Sequence, residues 1–308
     1  SSTIPPADLD RIVNAALNFE VPLVALSDDG STDDPHLLEL YHGPTLAFKD
    51  VGARFMAQLV GYLGGEGRAP LTILAATSGD TGSAVAQAFF DLPGIRTVIL
   101  FPKGKVTPLQ ERQFTTLGGN VNVLEVDGTF DDCQHLVKSA FSDPILADEI
   151  RLSSANSINI GRLLPQIFYY VHAAAQLPRG SAPLFSVPSG NFGNLTAGLM
   201  AKRLGVKCRG FVAVTNVNDV VPEYLRTGVV RPRPSTPTIS NAMDVGNPSN
   251  LARILALYEG DVDRLRKDLI GSAYDDDETR ECIKRVYRRT DYVLDPHSAV
   301  GYLGVEAG

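Results

Sequence analysis

The chain has 308 residues, 44% hydrophobic and 20% charged, with a formal net charge of −7. Its basic residues are scattered and outnumbered, which excludes a nucleic-acid footprint. No apolar run approaches the roughly 20 residues of a membrane span, so no membrane partner is expected.

The N-terminus, SSTIPPADLD, lacks the basic and apolar regions of a signal peptide. A cytoplasmic location is the expectation, and Ser-Ser without Met reads as a trimmed start. In chain order, TILAA (72–76), TVILF (97–101), VNVLEV (121–126), LFSV (184–187) and FVAVT (211–215) are short apolar runs with turn signals at their ends, the pattern of buried strands. Helical patterns lie between them, at Ser83–Phe90, Pro108–Leu117, Asp131–Phe141 and Leu195–Leu204. The last third reads as helices, at Leu251–Tyr258, Val262–Ile270 and Glu278–Arg289, the last entered through the acidic AYDDDET. Alternating strand and helix predicts an α/β fold with mainly parallel sheets flanked by helices. Residues 71–150 hold three strand–helix units and are expected to close as a small domain. Residues 1–70 and 151–308 would form a larger domain around it. RPRP (231–234) reads as a stiff surface turn.

Cys133, Cys208 and Cys282 have no short spacing between them, so neither a disulfide framework nor a zinc site is expected. His36, His42, His135, His172 and His297 form no H-x-x-x-H or H-E-x-x-H, and no metal is predicted. Phe168, Tyr169 and Tyr170 read as core. The chemistry concentrates in two glycine loops. ATSGDTGSA (76–84) follows the first strand and opens a helix; PSGNFGNL (188–195) does the same after LFSV. Helix N-terminal amides are unpaired and bind anions by donors and by dipole. Gly190 and Gly193 are expected to supply positive φ and a close approach to a ligand. Neither loop has the G-x-G-x-x-G or P-loop spacing, so two anions other than nucleotides are expected: a phosphorylated cofactor and an anionic substrate. A third cluster, SSANSINIGR (153–162), offers Asn156, Ser157, Asn159 and Arg162, whose guanidinium suits phosphate or carboxylate.

The stretch HGPTLAFKD (42–50) ends an apolar run on Lys49. An apolar setting disfavours an ammonium and makes the amine a nucleophile toward carbonyls. Pyridoxal 5'-phosphate is the phosphorylated aldehyde that fits such a lysine. Together, HGPTLAFKD, TSGDTGSA, SSANSINIGR, VPSGNFGNLTAG, TNVNDVVP and SNAMDVGNPSN resemble the threonine synthases, over nearly the whole chain. These are pyridoxal-phosphate enzymes of the tryptophan synthase β-like fold, fold type II. The resemblance implies that Lys49 forms a Schiff base with the cofactor. It implies that Gly190, Asn191, Phe192, Gly193 and Asn194 hold the cofactor phosphate. Ser78, Gly79, Asp80 and Thr81, flanked by Thr77, would hold the substrate carboxylate. Asn156, Ser157 and Arg162 would face the substrate phosphate. The implied reaction turns O-phospho-L-homoserine and water into L-threonine and phosphate by β,γ-elimination and hydration. The family pattern also implies further chain on both sides. That includes a T-A-H-P-A-K-F stretch whose threonine meets the pyridine nitrogen, so no residue here is given that role. Two alternatives stay open: a related phospho-lyase yielding 2-oxobutyrate, and a cofactor-binding remnant without turnover.

Overall fold

Short apolar runs alternating with helices fold here into parallel sheets. The structure, a computed structural model, describes residues 4–27, 34–64, 69–157 and 159–307. The Ser-Ser start and Ile158 of the SSANSINIGR cluster lie outside the described residues. The chain begins with helix α1 (Pro6–Ala16), the antiparallel pair β1 (Leu23–Ala25) and β2 (His36–Leu38), and helix α2 (Lys49–Gly64). Contacts divide it into two units: residues 1–21 with 40–165, and residues 22–39 with 166–308.

The first unit contains α1, α2 and a four-stranded parallel sheet. Its succession is β3 (Leu71–Ala76), α3 (Asp80–Phe89), β4 (Ile95–Pro102), α4 (Pro108–Thr115), β5 (Val121–Val126), α5 (Phe130–Ser142), α6 (Pro144–Glu149), β6 (Arg151–Ser154) and α7 (Ile160–Leu163). The strand order is β5-β4-β3-β6. Side chains of β3 alternate between two cores, as a period of two requires. Ile73 and Ala75 pack with Met56, Val85, Phe89, Ile99 and Phe114. Leu74 and Ala76 pack with Leu100, Cys133 and Val137. Covering both faces is what makes a parallel sheet read as continuous apolar runs. The chain builds outward from β3 to β4 and β5, then returns to β6 on the other side of β3. The loops after β3 and β6 therefore leave the sheet side by side at a topological switch point, where open α/β sheets bind ligands.

The second unit contains β1, β2 and a three-stranded parallel sheet ordered β7-β8-β9. Its elements are α8 (Ile167–Gln176), β7 (Leu184–Pro188), α9 (Gly193–Arg203), β8 (Gly210–Thr215), α10 (Val220–Thr227), α11 (Leu251–Leu257), α12 (Val262–Arg266), β9 (Leu269–Ala273), α13 (Asp276–Thr290) and α14 (Pro296–Ala307). The helix predicted over Val262–Ile270 is corrected here. It stops at Arg266, and β9 pairs in parallel with β8. Leu265 and Leu269 are both buried, and their spacing of four mimics one helical face. The acidic entry at AYDDDET is confirmed as a capping box, in which Asp275 and Glu278 open α13 reciprocally. In the RPRP tract, Arg231 and Arg233 pair with Glu223, and Arg233 also with Asp219. Tyr169 and Tyr170 are buried, as the sequence implied, whereas Phe168 is exposed. Among the described residues, no helix is long and apolar enough to cross a membrane.

Candidate active site

In the first unit, the turn HGPT presents Lys49. Asp50, only 1% exposed, takes the Thr45 N–H on one oxygen at 2.9 Å and the Thr45 hydroxyl on the other at 2.6 Å. Burial pushes the Asp50 carboxyl above its ordinary value, and the Thr45 bonds offset part of that rise. Gly43 lies so close to Asp50 that a Cβ there would overlap the carboxylate. Helix α2 starts at Lys49 itself. The lysine side chain is 17% exposed and lies over the Phe48 ring, 4.6 Å from its centre. The expected apolar setting is interrupted by one carboxylate, since Lys49 Nζ donates to Asp80 Oδ2 at 2.8 Å. That carboxylate comes from the first residue of α3, 31 residues further on.

The loop after β3 is organised from within. Thr77 is fully buried, and its hydroxyl oxygen accepts the N–H groups of Gly79 at 2.9 Å and Gly82 at 2.7 Å. The same hydroxyl donates to the Gly79 carbonyl. Gly79 has φ 142°, a backbone state that side chains rarely adopt. The N–H groups of Ser78 and Thr81 meet no acceptor among the described residues. They lie at the start of α3, where a helix favours an anion. Asp80 supplies its carboxylate to Lys49 and to Gln110. From the loop after β6, Asn156 braces the end of β3. Its amide donates to the Ala76 carbonyl at 2.6 Å and accepts the Ala76 N–H at 3.1 Å. Arg162 is buried and donates to the Ala155 carbonyl. Ser157 is half-buried beside them.

In the second unit, the loop after β7 is the other glycine loop. The structure corrects which residue bends it. Positive φ falls on Phe192 (φ 59°, ψ 17°), not on Gly190 or Gly193. A left-handed non-glycine residue costs about 1–2 kcal/mol, and the buried Phe192 ring holds it in place. Gly190 instead serves close approach: a Cβ there would lie 2.9 Å from the Ala242 oxygen and 2.9 Å from the Met243 Cα. No acceptor meets the N–H groups of Gly190, Asn191, Phe192, Gly193 and Asn194 among the described residues. Five such donors around a left-handed residue make a backbone nest at the start of α9, an arrangement able to accept an anion. Neighbours fix its shape. Asn191 accepts the N–H and hydroxyl of Ser249, both at 3.2 Å, and its carbonyl accepts the fully buried Asn250 amide at 3.0 Å. Tyr170 donates its hydroxyl to Asn194.

Sequence reasoning missed Gln110, Ser249 and Asn250. Gln110 had a signal, because Thr107-Pro-Leu-Gln110 reads as a T-x-x-Q capping box. It also missed the network after β8, where Asp244 accepts from Asn216, Asn218 and Thr238. Burial raises the Asp244 carboxyl, and these bonds moderate the rise.

A primary amine at a helix start and a backbone nest for phosphate are the groups a pyridoxal-phosphate enzyme requires. The family model described as "Pyridoxal-phosphate dependent enzyme" matches residues 25–308. Threonine synthase from Serratia marcescens is 50% identical over 301 residues, covering 97% of this chain and 68% of that protein. The crystal structure of threonine synthase from Escherichia coli aligns with TM-score 0.90 at 47% identity, over 100% of this chain and 70% of that one. The pyridoxal-phosphate-bound threonine synthase from Brucella melitensis aligns with TM-score 0.92 at 36% identity, over 99% and 71%. The chain belongs to the pyridoxal-phosphate-dependent enzymes of this α/β fold and, among them, to the threonine synthases, which are lyases acting on a small molecule.

Proposed function

We propose that this chain converts O-phospho-L-homoserine and water into L-threonine and phosphate in the cytoplasm, with Lys49 as its catalytic group. The observation that carries this reading is Lys49 Nζ, 2.8 Å from Asp80 and beside a loop whose Ser78 and Thr81 N–H groups meet no acceptor among the described residues. When bound, pyridoxal phosphate supplies an electron sink at the substrate Cα. The nest at Gly190–Asn194 would hold its phosphate, five donors replacing water without reorganisation. Lys49 would carry the cofactor at rest. Once released by the substrate amine, its Nζ would take the Cα proton and later return it. Ser78, Gly79, Asp80 and Thr81 would line the substrate carboxylate, with the Ser78 and Thr81 N–H groups as its donors, in a loop kept rigid by Thr77. Asn156, Ser157 and Arg162 belong to the substrate-phosphate end in this reading. Asn156 contributes by fixing the end of β3 at Ala76. Holding both anions fixes the Cα–H bond toward Lys49 and restrains the phosphate that departs from Cγ before water adds at Cβ. The 71–150 block would form the centre of the smaller domain, whose compact unit also takes in α2 and β6.

The test is product analysis with O-phospho-L-homoserine. Threonine and phosphate in equal amounts are expected, and Lys49→Ala should abolish both. Formation of 2-oxobutyrate without threonine would refute the proposal.

A further inference from the structure

The amide of Gln110 does two jobs at once. Its Oε1 accepts the Thr107 hydroxyl at 2.9 Å and the Thr107 N–H at 3.4 Å, which closes the capping box of α4. With the oxygen end so fixed, the Nε2 end must face the other way, and it donates to Asp80 Oδ1 at 2.5 Å. Asp80 Oδ2 is the atom that meets Lys49. The three side chains come from the starts of α2, α3 and α4, so three elements converge on one carboxylate. The amide also rests on Gly79, where a Cβ would come within 2.5 Å of Oε1. A plain helix cap needs none of this second arm.

We propose that Gln110 is a positioning residue for the lysine chemistry. It holds one oxygen of Asp80, so that the other stays trained on the Lys49 nitrogen. The inference rests on the reading that Lys49 carries the cofactor. Without the Gln110 donor, Asp80 can turn about its side-chain torsions, and the carboxylate is no longer fixed where the lysine nitrogen gains and loses its proton. Of the other charged groups nearby, Asp50 and Arg54 on α2 are bonded to Thr45 and to Ala15, Ala16 and Asn18. Glu111 and Arg112 follow Gln110 on α4, and Lys103 and Lys105 are exposed before it.

The informative substitution is Gln110→Glu. Glutamate is an equally good third residue of a capping box, and an acid is favoured in the first helical turn. The cap of α4 should therefore hold. What changes is the arm to Asp80, where a donor becomes a second carboxylate. Two carboxylates sharing a site force one of them to keep a proton at unusually high pH, and protonation of the introduced acid restores a donor. In the holoenzyme, Gln110→Glu should lower kcat about tenfold at pH 8 and recover much of that loss toward pH 6. The visible absorption of the bound cofactor should gain a pH-dependent component over the same range. Gln110→Leu should lose about tenfold at every pH. If both variants match wild type in kcat and spectrum at all pH values, Gln110 only caps α4 and the inference fails. Borohydride reduction and peptide mass spectrometry of the wild type provide the separate control. A pyridoxyl adduct on Lys49 is expected, and an unmodified Lys49 in cofactor-saturated protein overturns the underlying reading instead.

Discussion

Replacing Gly198 by alanine sets two effects of opposite sign against each other. Gly198 lies inside α9, where alanine is intrinsically favoured by about 1 kcal/mol. Its Cβ, however, would sit 2.6 Å from Phe211 Cε1 and 2.7 Å from Tyr170 Cζ. Ordinary contact begins near 3.4 Å, so a ring must give by about 0.8 Å. Neither ring is free to do so. Tyr170 and Phe211 are buried and pack edge-on to each other, with Phe185 against both. Overpacking of this kind costs about 2–3 kcal/mol, the upper part of its usual range. The net effect is a loss of about 1–2 kcal/mol, which lowers the thermal midpoint by about 3–6 °C for a unit of this size. Gly61→Ala is the matched control. It lies in α2 with nothing within 4 Å of the added atom, and it should raise the midpoint by about 2–4 °C. The assay is calorimetry of both variants beside wild type. A Gly198→Ala midpoint at or above wild type would refute the argument that the ring cluster is closed.

Two further outcomes concern the second unit. Asn250→Ala removes the donor to the Asn191 carbonyl and the acceptor for Arg253 at 2.7 Å, both at a fully buried site. A loss of about 2–3 kcal/mol is expected in denaturant titration. Weaker retention of pyridoxal phosphate in equilibrium dialysis should accompany it; unchanged retention would separate Asn250 from the nest. For Asp268, burial raises the carboxyl, but bonds from Lys202 and Tyr258 outweigh it and hold the group below its ordinary value. The unfolded chain then binds the proton more readily. This contribution is therefore full above about pH 4 and is lost as pH falls through the folded value. Asp268→Asn should cost about 1 kcal/mol at pH 7 and flatten the acid limb of stability. Parallel acid limbs in the two proteins would count against it.

The inner strands were legible because β3, β4 and β8 are buried on both faces, so each shows as an unbroken apolar run. β6 was not, because RLSS pairs only with β3 at a sheet edge and needs little apolar surface. β9 was hidden by the four-residue spacing of Leu265 and Leu269. The glycine loops were readable as candidate anion sites because strand–loop–helix context leaves amides unpaired. Which residue in 190–193 bends backward was not readable, since the choice of Phe192 depends on what packs around its ring. Lys49 stood out locally, but its carboxylate partner and the Gln110 behind it are brought together by α2, α3 and α4. Those contacts arise from tertiary packing and leave no mark on neighbouring residues.

The turn before Lys49 also limits which sequences the chain can accept. Asp50 fills the space that any side chain at position 43 would need, while holding Thr45. A larger residue at 43 is therefore excluded as long as the carboxylate stays. Removing the carboxylate alone leaves the Thr45 N–H and hydroxyl without their acceptor. The two positions can be exchanged only as a pair, through an intermediate that disorders the presentation of the lysine. A mutational scan should therefore find positions 43 and 50 intolerant singly and strongly non-additive together.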